Sequence, residues 1–75
     1  MELKEARDRF YNKERNLHLH FIINDTVKVK SQTHKGNIGC VISVEKTEPT
    51  LQYLVELTDG SSHIVDQKDL SLLNE

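Results

Sequence analysis

The feature of this chain that most constrains its fold is a series of short runs in which apolar and polar residues alternate. Runs with this period lie at 26–29, 51–57 and 63–66, and a continuous β-branched run lies at 38–44. Such alternation is typical of a strand with one buried face. Turn-forming residues separate the runs about every ten residues, and TDGS at 58–61 is a hairpin signal because glycine can adopt positive φ. The pattern predicts a mainly β fold.

The length of the chain selects among small β architectures. Its 75 residues are enough for one domain but too few for a sandwich of two large sheets. We therefore expect a small SH3-like barrel of about five short antiparallel strands. Such a barrel needs sharp corners, which glycine permits because it has no Cβ. Gly36 is predicted to end a polar loop, Gly39 to kink a strand as it crosses the barrel, and Gly60 to complete the hairpin turn.

The first residues of the chain have a different period. Between 2 and 17 the apolar side chains recur about every 3.6 residues, which predicts an amphipathic helix. They form one narrow stripe: Leu3, Ala6, Phe10 and Leu17. The stripe could pack on the domain's own core or bind a partner, but it is too thin for a helix that lies on a membrane. We expect a single domain with two parts: the helix at 1–17, docked on or beside the barrel, and the SH3-like barrel at 18–75.

A further alternating run follows the helix. Residues 18–23 are predicted to form a strand that points His18 and His20 to the same side. Together with His34 or His63 they could bind a metal ion. A structural zinc site is almost always closed by four protein ligands, however, and the pattern offers no clear fourth ligand. We interpret the two histidines as part of an exposed strand face. We expect no metal and no cofactor.

The segment NDTVKVKSQTHKGNIGCVISV, residues 24–44, resembles the KOW motif found on SH3-like barrels of ribosomal proteins and transcription elongation factors. That motif has a Gly-Asp-x-Val-x-Val opening, a loop, and then Lys-Gly-x-x-Gly-x-Val-x-x-Val. The matching positions are Asp25, Val27, Val29, Lys35, Gly36, Gly39, Val41 and Val44. The resemblance extends over 24–73 and leaves the helix outside. It implies an SH3-like barrel and contact with RNA or a ribonucleoprotein, although one fold hosts many functions.

Polar residues around this motif form the candidate binding site. They are Lys28, Lys30, His34, Lys35 and Asn37. The loop at 31–38 is expected to be the main contact surface, because loops on a rigid scaffold carry recognition. The lysines could contact phosphates, or they could be the solvated face of an edge strand that lysine protects from aggregation. The net charge of −2 gives the whole molecule no strong attraction to a polyanion.

Two functions therefore stay open. The first is a non-catalytic interaction module that docks onto a protein partner within a larger assembly. The alternative is a KOW-like contact with RNA, DNA or a ribonucleoprotein through Lys28, Lys30 and Lys35. A cage of aromatic rings for methylated lysine or arginine is not expected, because Tyr53 is the aromatic residue that the barrel strands supply.

Enzymatic activity has no supporting pattern in the sequence. Cys40 lies in the apolar run GCVIS, where burial predicts an inert thiol, and Asp59, Asp66 and Asp69 are expected to serve in turns and caps. We therefore expect no catalysis and no small-molecule substrate. No apolar run approaches the roughly 20 residues of a membrane span, and the first residues do not resemble a signal peptide. With a single cysteine, the predicted location is the cytoplasm.

Overall fold

The strands of this chain form one antiparallel sheet, preceded by a helix. The computed structural model describes residues 2–30 and 37–73. Within these residues the strand order is β4-β3-β2-β1-β5. The elements in chain order are helix α1 (Leu3–Tyr11), strands β1 (Thr26–Val29), β2 (Ile38–Lys46), β3 (Gln52–Leu57) and β4 (Ser62–Asp66), a 3₁₀ turn (Gln67–Asp69) and strand β5 (Leu70–Leu72). A mainly β fold with an N-terminal helix is confirmed.

The closed barrel is not confirmed. Among the described residues β4 pairs with β3 and β5 pairs with β1, and neither has a second neighbour, so the sheet is open. All five strands nevertheless contribute to one core. The core residues are Ala6, Phe10, Leu19, Phe21, Val27, Val29, Val41, Val44, Tyr53, Val55, Leu57, Val65 and Leu70.

Helix α1 is shorter than predicted, because it ends at Tyr11 and not at 17. Lys13 has a φ of 60°, a left-handed conformation that interrupts an α-helix. The side-chain Oδ1 of Asn16 then accepts two hydrogen bonds of 2.7 Å from backbone N–H groups further along the chain, which stabilise a turn in place of a helix. Leu17, which the periodicity placed on the buried stripe, is 90% exposed.

The apolar stripe of α1 packs on the sheet. Ala6 and Phe10 are fully buried in the core that the strands share, and Leu3 packs against its margin. A polar contact adds to this packing, since Arg7 Nε donates a 3.0 Å hydrogen bond to the Val44 carbonyl oxygen on β2. The helix therefore uses its apolar residues within this chain.

The strand predicted at 18–23 is wrong, because no strand forms there. The side chain of Gln67 bonds to this segment in place of a neighbouring strand. Its Oε1 accepts a 2.9 Å hydrogen bond from the His20 N–H, and its Nε2 donates one of 2.9 Å to the His18 carbonyl oxygen. Phe21 is buried as the alternation predicts. Ile22, on the opposite side of the alternation, is buried as well, so the pattern does not separate an inner from an outer side here. The backbone of this segment bonds mainly to side chains, such as those of Gln67 and Tyr53, and not to a neighbouring strand.

Tyr53 lies at the centre of the core. The ring centroids of Phe10 and Phe21 are 6.1 and 5.6 Å from that of Tyr53. The Tyr53 hydroxyl donates a 2.5 Å hydrogen bond to Gln67 Oε1 and accepts one of 3.3 Å from the Phe21 N–H. Burial raises the pKa of Tyr53, because the phenolate would lose its hydration. The hydroxyl therefore connects β3 to both the 3₁₀ turn and the segment after the helix.

Tyr53 is expected to make the fold sensitive to alkaline pH. Its pKa in the folded chain is higher than the unfolded value of about 10, so its contribution to stability is complete below about pH 10 and is lost as the pH rises further. In urea unfolding followed by circular dichroism, the free energy of unfolding should fall more steeply above this pH for the wild type than for Tyr53→Phe. At neutral pH the variant should be less stable by about 1 kcal/mol, because Gln67 loses a donor. Parallel pH profiles would contradict this prediction.

The hairpin between β3 and β4 is confirmed. The Leu57 N–H donates to the Ser61 carbonyl oxygen at 2.8 Å, the Gly60 N–H donates to the Leu57 carbonyl oxygen at 3.0 Å, and Gly60 has a φ of 90°. The Asp59 carboxylate accepts hydrogen bonds from the hydroxyl and the N–H of Ser61, and the hydroxyl contact is the main cause that lowers the pKa of Asp59. This three-residue loop with a glycine bulge sets the register of the two strands.

The turn before β1 also lies where the sequence predicts it. Asn24 has a φ of 69°. The Asp25 carboxylate accepts two hydrogen bonds from the Arg15 guanidinium, at 2.6 and 3.0 Å, and one of 2.9 Å from the Ile22 N–H. The Asp25 carbonyl oxygen accepts a further bond of 3.0 Å from the Val41 N–H. The aspartate that carries part of the KOW resemblance therefore has a structural role in this chain.

Candidate functional site

The predicted binding residues lie around strand β1. Lys28 and Lys30 are exposed, and Asn37 is exposed immediately before β2. The Asn37 carbonyl oxygen accepts a 2.8 Å hydrogen bond from the Val29 N–H, which ties it to β1. The other predicted residues lie outside the described part of the chain: His34, Lys35 and Gly36, within 31–36.

Strand β1 is in the interior of the sheet, so the interpretation of its lysines as protection of an edge strand is wrong. It lies between β2 and β5, and Lys28 is opposite Ile38 on one side and Ser71 on the other. Neither Lys28 nor Lys30 forms a salt bridge within 2–30 and 37–73. The two ammonium groups therefore form a small positive surface on this half of the sheet.

The other half of the sheet is acidic. Residues 51–67, which include β3 and β4, contain Glu56, Asp59 and Asp66 and neither lysine nor arginine. Asp66, one of the two aspartates that could cap the 3₁₀ turn, is the N-cap residue, but its side chain makes no capping hydrogen bond. Its Oδ1 accepts a 2.6 Å hydrogen bond from Gln52 Nε2. The sheet is thus polarised, with Lys28 on β1 and Lys30 just after it, and with carboxylates on β3, β4 and the turn between them.

Apolar side chains lie on the outer side of the acidic half. Ile64 on β4 is 58% exposed and pairs with Leu54 on β3, which in turn lies opposite Ser43 on β2. Ile42 is at the register shift of β2, next to Ser43. Leu54 and Ile42 are half-buried, and neither they nor Ile64 belong to the core or pack against it. We call Ile42, Leu54 and Ile64 the outer apolar patch.

Strand β4 is an edge of the sheet, and its register shows which of its backbone groups are free. Hydrogen bonds join Leu57 to Ser61 at one end of the β3–β4 ladder and Leu51 to Gln67 at the other. Because bonded and non-bonded pairs alternate in an antiparallel ladder, every second residue of β4 turns its N–H and C=O groups away from β3. These residues are Ser62, Ile64 and Asp66. The C=O of Asp66, the N-cap residue of the 3₁₀ turn, accepts the first bond of that turn, so the outward groups left for another strand are the N–H and C=O of Ser62 and Ile64 and the N–H of Asp66.

A surface depression lies beside the hairpin and contains the cysteine. Its volume is about 290 Å³, and its lining residues are Ile38, Gly39, Cys40, Glu56, Leu57, Thr58 and Gly60. Cys40 is exposed, so the burial predicted from its apolar neighbours is wrong. Side chains alternate between the two faces of β2, and Cys40 lies between two buried residues, Gly39 and Val41. It therefore falls on the outer face.

Cys40 should react with a thiol reagent while the chain is folded. Because the side chain is exposed, we expect complete labelling by a chromogenic disulfide reagent without denaturant. The rate should lie within about tenfold of that measured in urea, since access does not require unfolding. Cys40→Ser supplies the unlabelled control. Labelling that begins only as the circular dichroism signal is lost would contradict the exposed position.

The histidines considered as metal ligands are not arranged on a strand. His20 Nε2 lies 2.9 Å from the Leu17 carbonyl oxygen, which accepts its hydrogen bond when that nitrogen is protonated. Across the described ranges, the structure contains no group of three or more His, Cys, Asp or Glu side chains placed to bind a metal ion. The segment's turn-like backbone removes the common strand face on which His18 and His20 were expected.

Sequence analysis missed the free edge of β4 and the exposure of Ile64. The segment SSHIVD predicts a short strand, and the isoleucine within it is a visible apolar residue at a position that alternates with a buried valine. That alternation was a signal for an apolar residue on the outer face. No local pattern indicates that, among residues 2–30 and 37–73, this strand pairs with β3 alone.

Comparison of the chain with protein-family models, with curated proteins and with solved structures found no match. The KOW resemblance therefore rests on the residues that carry it. In the part of the chain that the structure describes, no helix has the length and apolarity needed to cross a membrane.

Proposed function

We propose that this chain is a non-catalytic interaction module that docks onto a protein partner within a larger assembly. The observation that supports it most directly is the outer apolar patch beside the free edge of β4, where Ile64 is 58% exposed. Apolar surface next to unpaired backbone groups is a surface that protein partners cover. The carboxylates of 51–67 disfavour a polyanion at this place.

The proposal includes an SH3-like barrel as the scaffold. Buried side chains from all five strands meet in one core, which a curled sheet explains. The register shifts of β2, between Val41 and Ser43 and between Val44 and Lys46, would bend the strand that both halves of the sheet share. The proposed setting is the cytoplasm, where the exposed thiol of Cys40 would stay reduced.

A second candidate function is contact with RNA, DNA or a ribonucleoprotein. It is favoured by the exposure of Lys28 on an interior strand and of Lys30 directly after it, where protection of an edge does not explain them. Lys35 would extend this positive surface, as the KOW resemblance implies. Each phosphate neutralised would steepen the dependence of affinity on salt by about one logarithmic unit.

Affinity capture from cell lysate, with and without nuclease, separates the two candidates. The bait is the full chain, and a variant carrying both Lys28→Ala and Lys30→Ala is captured in parallel. A protein that stays bound after nuclease treatment, binds both baits and then binds the purified chain directly would support protein docking. Partners that are all lost after nuclease treatment and from the lysine variant would overturn it in favour of nucleic-acid contact.

A further inference from the structure

Strand β4 lacks the devices that usually protect the edge of a sheet. Protected edges carry lysine, proline or a bulge, or are very short. The sequence of β4, SHIVD, contains neither lysine nor proline, and its five pairs with β3 run without a register shift. Its one carboxylate, Asp66, is at the end of the strand and bonds to Gln52 on β3. The opposite edge, β5, is only three residues long.

The free backbone groups of β4 have the spacing of a site that binds a strand. Ser62 and Ile64 each turn an N–H and a C=O away from β3, and Asp66 turns its N–H the same way, which is the repeat that an added strand needs. Ile64 is the central residue of the three and is the exposed member of the outer apolar patch. An added strand with an apolar residue on the same side would extend this patch by one position.

The charges around β4 indicate which kind of segment could pair with this edge. Residues 51–67 contain three carboxylates, those of Glu56, Asp59 and Asp66, and neither lysine nor arginine. A second copy of this chain would bring two such acidic edges together, and like charges on adjacent strands oppose pairing. A segment that carries lysine or arginine would be attracted to the same edge.

We propose that β4 accepts an extended segment of a partner protein as an additional strand, and that this segment combines lysine or arginine with apolar β-branched residues. The inference rests on the proposed function, because it specifies how the protein partner docks. Backbone hydrogen bonds to Ser62, Ile64 and Asp66 supply the affinity. The outer apolar patch and the surrounding carboxylates supply the preference for sequence.

A nuclear magnetic resonance titration of the full chain with two short capped peptides tests this inference. One peptide alternates lysine with valine and the other alternates glutamate with valine. The basic peptide should shift the amide signals of Ser62, Ile64 and Asp66 more than those of β1 and slow their exchange with solvent. The acidic peptide should bind at least about tenfold more weakly. Equal binding of the two peptides, or shifts centred on β1, would overturn the inference.

Substitutions at Ile64 locate the binding edge. Ile64→Pro removes the free N–H donor at the centre of the edge but no hydrogen bond between β3 and β4. It should therefore lower the affinity for the basic peptide by about tenfold or more. Ile64→Lys keeps the donor but adds a charge that repels a basic segment, and Ile38→Lys makes the same change at an exposed position of β2. Binding lost in Ile64→Lys and kept in Ile38→Lys would support the inference. Unchanged binding in a folded Ile64→Lys variant would overturn it.

Failure of this inference is distinguishable from failure of the proposed function. A protein captured after nuclease treatment that binds the wild type and Ile64→Lys equally would overturn strand addition and leave protein docking in place. Capture of nucleic acid alone would overturn both. Self-association of the purified chain that Ile64→Lys abolishes, measured by sedimentation, would overturn the choice of occupant.

Discussion

Replacing Phe10 with alanine is expected to lower the free energy of unfolding by about 3–5 kcal/mol. Phe10 is fully buried in the core, with its ring centroid 6.1 Å from that of Tyr53. A domain of 75 residues has a total stability of roughly 4–11 kcal/mol, so the loss is a large part of what is present. Urea unfolding followed by circular dichroism should show a sharply lower midpoint, with part of the variant unfolded in water.

Tyr11→Ala is the matched control for Phe10→Ala. Tyr11 is the adjacent aromatic residue of α1, is 52% exposed and meets Phe10 edge-on at 5.2 Å. Its truncation should cost about 1 kcal/mol or less, because little buried surface is lost. If Phe10→Ala lost only its helical signal and kept the wild-type midpoint for the sheet, the helix would be a separate appendage and the prediction would be wrong.

The same result bears on how the chain could bind a partner. Because Ala6 and Phe10 are part of the common core, α1 can offer its apolar stripe to another protein only by leaving the sheet. That release would expose core residues and carry a cost similar to that of Phe10→Ala. The stable surfaces for a partner are therefore on the outer side of the sheet and at its edges.

Replacing Gly39 with alanine is expected to lower the free energy of unfolding by about 1–3 kcal/mol, although it adds a single methyl group. A Cβ at this position would overlap the Glu56 carbonyl oxygen of β3 and lie 3.0 Å from Val55 Cγ1. The obstruction is mainly backbone, so β2 and β3 would have to separate to relieve it. Urea unfolding should show a lower midpoint with an unchanged slope.

Cys40→Ala and Gly60→Ala are the controls for Gly39→Ala. Cys40 is the next residue of β2 and is exposed, so its replacement should change the free energy of unfolding by no more than about 0.5 kcal/mol. Gly60→Ala meets nothing within 4 Å, but its φ of 90° should cost about 1–2 kcal/mol. A Gly39→Ala variant as stable as Cys40→Ala would show that the two strands do not approach as closely as described.

Gly39 is required for a different physical reason from the one that the sequence predicts. The sequence predicted a kink at this residue, yet Gly39 pairs in register with Val27 on β1 and Leu57 on β3. The irregular positions of β2 lie further along, starting between Val41 and Ser43. Glycine is needed here because β3 passes too close for a side chain. The sequence around Gly39 does not indicate how closely β3 approaches, because that strand lies about fifteen residues further along the chain.

Turn residues and short-range alternation predict the structure correctly where it depends on neighbouring residues. The turn at Asn24 and Asp25, the hairpin around Gly60 and the strand at 26–29 all lie where the sequence predicts them. Errors arose where a periodic pattern continued past the point at which the backbone turned. Leu17 was in phase with the helix by coincidence, and 18–23 alternated without a strand to pair with.

By itself, the sequence determined that this chain is mainly β with a helix before the sheet, and that Ala6 and Phe10 of the helix and the alternating valines of β1 are buried. Periodicity, glycine and turn residues act over a few neighbours, so they can be read without knowing the fold. Only the tertiary structure decided that β1 is interior, that β4 has a free edge with Ile64 exposed, and that Gln67 holds the segment after the helix. These properties depend on hydrogen bonds and packing between residues far apart in the chain, and no local pattern contains them.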